Sequence, residues 1–211
     1  MKTRLMMAVA AAVMTLEARQ SDVTADDARK ESEKSTHSAA ELSPAARVDV
    51  HVFDGSAQFL PADLINAEAL VAKIFGKVGI QVTWVEDASA AHLLLRIWES
   101  STVRGTRVTS DALGFRLSQN EAVVLSDATK KTAAEWKVDP ALCLGLTMAH
   151  EMGHLLLQSE THSVSGVMKS RWLRPDLAIA DRGALTFNAQ EGHLMRNGLR
   201  RLGTQIRQGA Q

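Results

Sequence analysis

The sequence predicts an α/β fold: a twisted, mixed but mostly parallel sheet with a backing helix, a long buried helix and a C-terminal helix. Three observations lead there. Between residues 47 and 98 apolar residues alternate, then recur at helical spacing, then alternate twice more, which is the order strand, helix, strand, strand. A short apolar run, EAVVLS at 121–126, has the character of an interior strand. The run from Pro140 to Leu157 is apolar nearly all round, as a helix at a domain centre is.

In order, Val48, Val50 and Val52 alternate with Asp49 and His51 in the first strand. Pro61 opens a helix whose apolar positions are Leu64, Ala67, Val71, Ile74, Phe75 and Val78, and Gly76 and Gly79 mark the turn out of it. Ile80, Val82 and Trp84 form the second strand, and Leu93, Leu95 and Ile97 the third. Strand, helix, strand reads as a right-handed crossover between parallel neighbours. ALGFRL, residues 112–117, follows a loop containing Gly and Ser and gives a fourth strand, with residues 121–126 the fifth. Asp139 and then Pro140 supply an N-cap and a first-turn proline for the buried helix. Asn188 with Glu191 three residues on looks like a reciprocal cap for the last helix. The arginines of that helix, Arg196, Arg200, Arg201 and Arg207, read as a solvated end that complements its dipole. His51 and His92 stand at strand positions without a ligand companion nearby and read as edge or surface residues.

The chain has 211 residues, 45% hydrophobic, with 24 acidic and 24 basic side chains. That is material for one domain with a proper core, and a zero net charge argues against nucleic-acid binding. Residues 1–18 hold two basic residues and then an apolar run too short to span a bilayer, the pattern of a signal peptide. The alternative is an uncleaved amphipathic start. Export to a periplasmic or extracellular space is the expectation, with no integral membrane span in the mature chain. Residues 19–46 are polar and unpatterned, including a lone His37, and read as a disordered linker or the remnant of a pro-segment. The domain proper is expected over 47–211, as a monomer. Its one cysteine, Cys143, forms no intramolecular disulfide and lies about 10 Å along the helix from His150, too far to share a metal with it. It reads as a small buried residue.

Chemistry concentrates in HEMGHLLLQSETHSVSGVM, residues 150–168. On a helix His150 and His154 lie about 40° apart, one turn above the other, so two imidazoles can face one metal. Glu151 sits on the flank of that face, the place for a general base acting on a metal-activated water. A catalytic zinc takes three protein ligands and leaves a fourth position open. The bare HExxH can also be two helix histidines with no metal, but burying them and a glutamate without partners is costly. After Leu157 the text turns polar and the helix should end. His162, on the loop that follows, stands first as third ligand; Glu160 competes by spacing, and Glu191 by analogy with zincins that draw a glutamate from a second helix.

With HExxH, a third histidine after a polar turn, and Gly166-Val167-Met168 close behind, the segment resembles the metzincin clan of zinc endopeptidases. It is most similar to a pattern of compact, matrixin-like bacterial proteins, HExGHLLLGxxxHSxxGIM, to which His150, Glu151, Gly153, His154, His162, Ser163, Gly166 and Met168 conform. The resemblance covers nineteen residues closely and the rest loosely. Two departures stand out. The third histidine comes eight residues after the second instead of six, and the helix-ending glycine is replaced, by Leu157 in the common pattern or Gln158 in the variant. The chain also contains no tyrosine, so the tyrosine that some metzincins carry past the methionine turn has no counterpart.

The resemblance implies a zincin-like α+β domain holding one catalytic Zn2+ on His150, His154 and His162, with Glu151 as general base and peptide or protein as substrate. It implies that Met168 props the ligand histidines from the core. It also implies that the fourth strand is an antiparallel edge where Leu113, Gly114 and Phe115 pair with an extended peptide; a plain protected edge with Arg116 facing water is the alternative. Trp172, past the methionine turn, is either a wall of the substrate pocket or simple packing. Two rival functions remain open at this point: a zinc-binding module without turnover, and a metallohydrolase acting on a non-peptide amide.

Overall fold

The computed structural model of the chain describes residues 46–103 and 111–209, with side chains as far as residue 201. The signal-like segment 1–18, the linker with His37 as far as residue 45, most of the loop ahead of the fourth strand and the side chain of Arg207 lie outside the described residues.

The strands are β1 (Ala46–Asp54), β2 (Ile80–Trp84), β3 (Leu93–Trp98), β4 (Gly114–Arg116) and β5 (Glu121–Leu125). They form one sheet in the order β2-β1-β3-β5-β4. β1 runs parallel to β2 and β3, and β3 to β5; β4 alone is antiparallel, on the β5 edge. The fold is thus the expected mostly parallel α/β arrangement. Alternation decides which side chains enter the core: Val48, Val50, Leu93, Leu95 and Ile97 are fully buried with the helices. β4 is shorter than the six residues expected, because the chain turns through residues 118–120, where the Leu117 and Ser118 N–H groups both donate to the Glu121 carbonyl.

The helices are α1 (Pro61–Gly76), α2 (Ser126–Trp136), α3 (Pro140–Leu157), α4 (Arg174–Asp181) and α5 (Ala189–Gly209). Pro61 does open α1, and Ala67, Val71, Ile74 and Phe75 are its buried stripe. Asp139 caps α3, its carboxylate accepting the Ala141 N–H at 2.8 Å. From Ala141 to Leu156 every residue of α3 except His150 is buried. Burial of seven large apolar side chains, Leu142, Leu144, Leu146, Met148, Met152, Leu155 and Leu156, each stabilising by roughly 1.5–3 kcal/mol, fixes this helix as the axis of the domain.

Four expectations need correction. Ser126 does not continue the fifth strand; it starts α2, and its hydroxyl donates to the Trp98 carbonyl at 3.2 Å. α2 and α4 were both unexpected, since α2 buries only Ser126, Thr129 and Ala133 and so carries no apolar stripe. β1 is an interior strand, so His51 is no edge residue; its Nδ1 donates to the Val85 carbonyl at 3.0 Å, while His92 Nδ1 accepts the Asp49 N–H at 3.0 Å. Arg196 is not merely solvated, because it donates to the Val78 carbonyl at the end of α1. Among the described residues no helix is long and apolar enough to cross a membrane.

Candidate metal centre

The site grows from the C-terminal half of α3. One helical turn apart, His150 and His154 bring their Nε2 atoms to 3.0 Å of each other. The helix then stops at Gln158, which takes the left-handed conformation (φ 50, ψ 41) at the place where the variant pattern has glycine. A side chain there costs about 1 kcal/mol relative to glycine. Its amide offsets that cost by donating to the Gln119 carbonyl at 2.8 Å and to the Leu155 carbonyl.

Past this turn the loop folds back and lays the His162 ring 5.2 Å from that of His150, nearly parallel, and 4.9 Å from that of His154, edge on. One ring nitrogen from each of the three lies within 4.8 Å of the others, and the three could hold a metal ion. The two competing carboxylates are engaged elsewhere. Glu160 pairs with Arg116 Nε at 2.6 Å. Glu191 forms the expected reciprocal cap, accepting the Asn188 N–H at 2.7 Å while Asn188 Oδ1 accepts the Glu191 N–H at 2.8 Å, and its other oxygen takes the Ser163 hydroxyl.

Hydrogen bonding fixes which ring nitrogens carry protons. His150 Nδ1 faces the Val167 carbonyl at 2.9 Å and His154 Nδ1 the Ser159 carbonyl at 2.7 Å. A carbonyl only accepts, so both Nδ1 atoms are donors, and in the neutral rings both Nε2 atoms are left as bare lone pairs. Two such lone pairs 3.0 Å apart repel unless a cation sits against both. Nitrogens bound tetrahedrally at 2.0–2.1 Å would be about 3.3 Å apart, so the pair is spaced for one metal ion. Protonation is the poorer remedy. Burial, with the neighbouring His154 and His162 adding to it, outweighs the Val167 hydrogen bond and pulls His150 down to about 4. Burial likewise lowers His154.

Glu151 points from the flank of the same helix and is 4% exposed. Its Oε2 has no hydrogen-bond partner among the described residues. Burial first, and then the charge of Glu160, push its carboxyl up to about 8. The edge strand passes directly over it: a methyl group on Gly114 would sit 2.7 Å from Glu151 Oε1 and 2.6 Å from the Val123 carbonyl.

Met168 is 1% exposed and fills the space against α3 at Gly153, where a methyl group would come within 2.5 Å of its sulfur. Gly166, at φ +78, makes the turn that aims it there. Trp172 does two things at once. Its ring stands edge-on to His150 at 5.5 Å, and its Nε1 donates at 3.2 Å to the same Val167 carbonyl that His150 uses. The indole therefore packs against His150 and fixes the carbonyl that orients it.

A cleft of about 490 Å³ opens over the histidines and Glu151. Leu113, Gly114, Phe115 and Trp172 line it, with Cys143 and Leu177 among its apolar surfaces. Burial pushes the Cys143 thiol up to about 12, so it is inert there. Sequence reasoning missed three parts of this site: the Gly114–Glu151 approach, the shared Val167 carbonyl and the Arg116–Glu160 pair. The last places Arg116 against the loop that carries His162 and not in open water. Only the pairing of opposite charges hinted at it. Comparison with known proteins gave no matching family model and no matching curated protein.

Proposed function

We propose that the chain is a zinc-dependent endopeptidase of the metzincin kind. One observation carries the reading: three imidazoles converge, two with bare nitrogens face to face, beside a buried carboxylate oxygen that no described protein group satisfies. A structural metal site has no need of such a carboxylate. Zinc bound there would supply Lewis acidity and bring the pKa of a coordinated water toward neutrality.

The residues of the chain then do the following. Burial keeps His150 and His154 neutral, and the Val167 and Ser159 carbonyls aim them. Glu151, whose ionised form a cation held by the three histidines would favour against burial and the Glu160 charge, would accept a proton from the attacking water and pass it to the leaving amine. β4 is an edge with one side of its ladder free, which suits an extended peptide lying over Gly114 and across Glu151. The apolar part of the cleft around Trp172 and Leu177 takes a substrate side chain.

Digestion of a quenched-fluorescent peptide mixture by the purified full chain tests this. Wild type should cleave internal bonds, chelation should stop it, and Glu151→Gln should lose at least about a hundredfold in rate while keeping its zinc. Zinc binding with no cleavage of any peptide would contradict the reading and favour a binding module or a non-peptide substrate.

A further inference from the structure

The loop that carries His162 is two residues longer than the metzincin pattern, and it is fastened on both sides. After His162, the Ser163 N–H donates to the Met168 carbonyl at 2.7 Å and the Ser163 hydroxyl to Glu191, which ties that flank to the methionine turn and α5. Before His162, the Ser159 carbonyl is held by His154, and two side-chain tethers go to one place, the β4–β5 hairpin. Gln158 Nε2 donates to Gln119 O in its turn at 2.8 Å, and Glu160 Oε1 accepts from Arg116 Nε on β4 at 2.6 Å. His162 itself is exposed, and its ring meets the rings of His150 and His154.

We propose that Arg116 and Gln158 are positioning residues for the third ligand: they clamp the 158–162 loop to the edge hairpin, so that metal affinity depends on the strand over which substrate is proposed to dock. This rests on the zinc reading above. The same three-residue strand touches both halves of the chemistry, Glu151 through Gly114 and the His162 loop through Arg116. The ion pair is part-exposed, at 27% for the arginine and 62% for the glutamate side chain, so each tether alone is worth little and the pair of them more.

The test reads zinc affinity of the full chain by competition with a chromophoric chelator, with no assay of activity. Arg116→Gln and Glu160→Gln should each weaken zinc about two- to fivefold, and their double variant should be no weaker than either single one. Arg116→Gln combined with Gln158→Ala should weaken it about tenfold. Arg116→Lys should stay near wild type, and added salt should weaken wild type more than the Arg116→Gln/Glu160→Gln variant. Arg96→Gln, which breaks the Arg96–Glu121 pair of the same sheet, should leave affinity unchanged. Affinities within experimental error of wild type for Arg116→Gln/Gln158→Ala would overturn the proposal. So would equal losses for Arg96→Gln, which would mark a general effect of sheet stability. A wild type that binds zinc but cleaves nothing would sink the proposed function and leave this clamp standing; a wild type that binds no zinc would sink both.

Discussion

Gly114 faces Glu151 so closely that the smallest added side chain would stand 2.7 Å from its Oε1. Edge strand and carboxylate are thus in contact with nothing between them, and the backbone of β4 forms the wall that the carboxylate leans on. Gly114→Ala should therefore displace either β4 or Glu151. The variant should lose at least about tenfold in peptide cleavage and roughly 1–3 kcal/mol of stability from overpacking, while zinc content stays at the wild-type level. Cleavage and melting temperature, measured on one preparation, check it; an active, equally stable Gly114→Ala would show that the contact is slack.

Met168 fills the space against α3 at Gly153. Truncation to alanine leaves a cavity against α3 at Gly153. Urea unfolding in the presence of chelator should show a loss of about 2–5 kcal/mol for Met168→Ala and under about 1.5 kcal/mol for Met168→Leu.

Gln158 sits in a left-handed conformation and donates to two carbonyls. Alanine there keeps the strain and loses the hydrogen bonds; glycine loses the bonds but relieves the strain. Gln158→Ala should therefore be less stable than Gln158→Gly by about 1 kcal/mol, with the glycine variant close to wild type. Thermal melts of the three proteins decide it.

Burial pushes the Asp176 carboxyl up, but the Lys169 ammonium at 2.5 Å and the Leu173 N–H at 2.7 Å outweigh it and hold the group below its ordinary 3.8. A carboxylate whose folded pKa is depressed stabilises the protein above the unfolded value and ceases to as pH falls through the folded one. Asp176→Asn should cost about 1 kcal/mol near neutrality. The difference from wild type should shrink once pH drops below about 3.8, as a series of denaturant titrations across pH would show.

Some of this architecture is legible in the sequence because periodicity and caps are local. Valines at alternate positions, Pro61 after a loop, Asp139 before Pro140, and Asn188 three residues before Glu191 each specify their element through neighbours in the chain. The two helix histidines are legible for the same reason, since one turn of α3 sets their spacing. What brings His162 to them is mostly not local: it depends on Gln119 and Arg116, which lie 39 and 44 residues from the Gln158 and Glu160 they hold, besides the Met168 carbonyl that takes the Ser163 N–H. α2 escaped notice because its helix is stabilised by Ala, Lys and Glu propensity and a single buried alanine. The approach of Gly114 to Glu151 leaves no trace in spacing at all, because it is set by how the sheet packs on α3.

Zinc content is the measurement closest to the central claim. The full chain, saturated with zinc and dialysed, should retain one ion by elemental analysis. Glu151→Gln should retain it equally, His154→Ala should lose it, and His162→Ala should hold it at least about tenfold more weakly. Full retention of zinc in His162→Ala, or none in the wild type, would contradict the three-histidine centre.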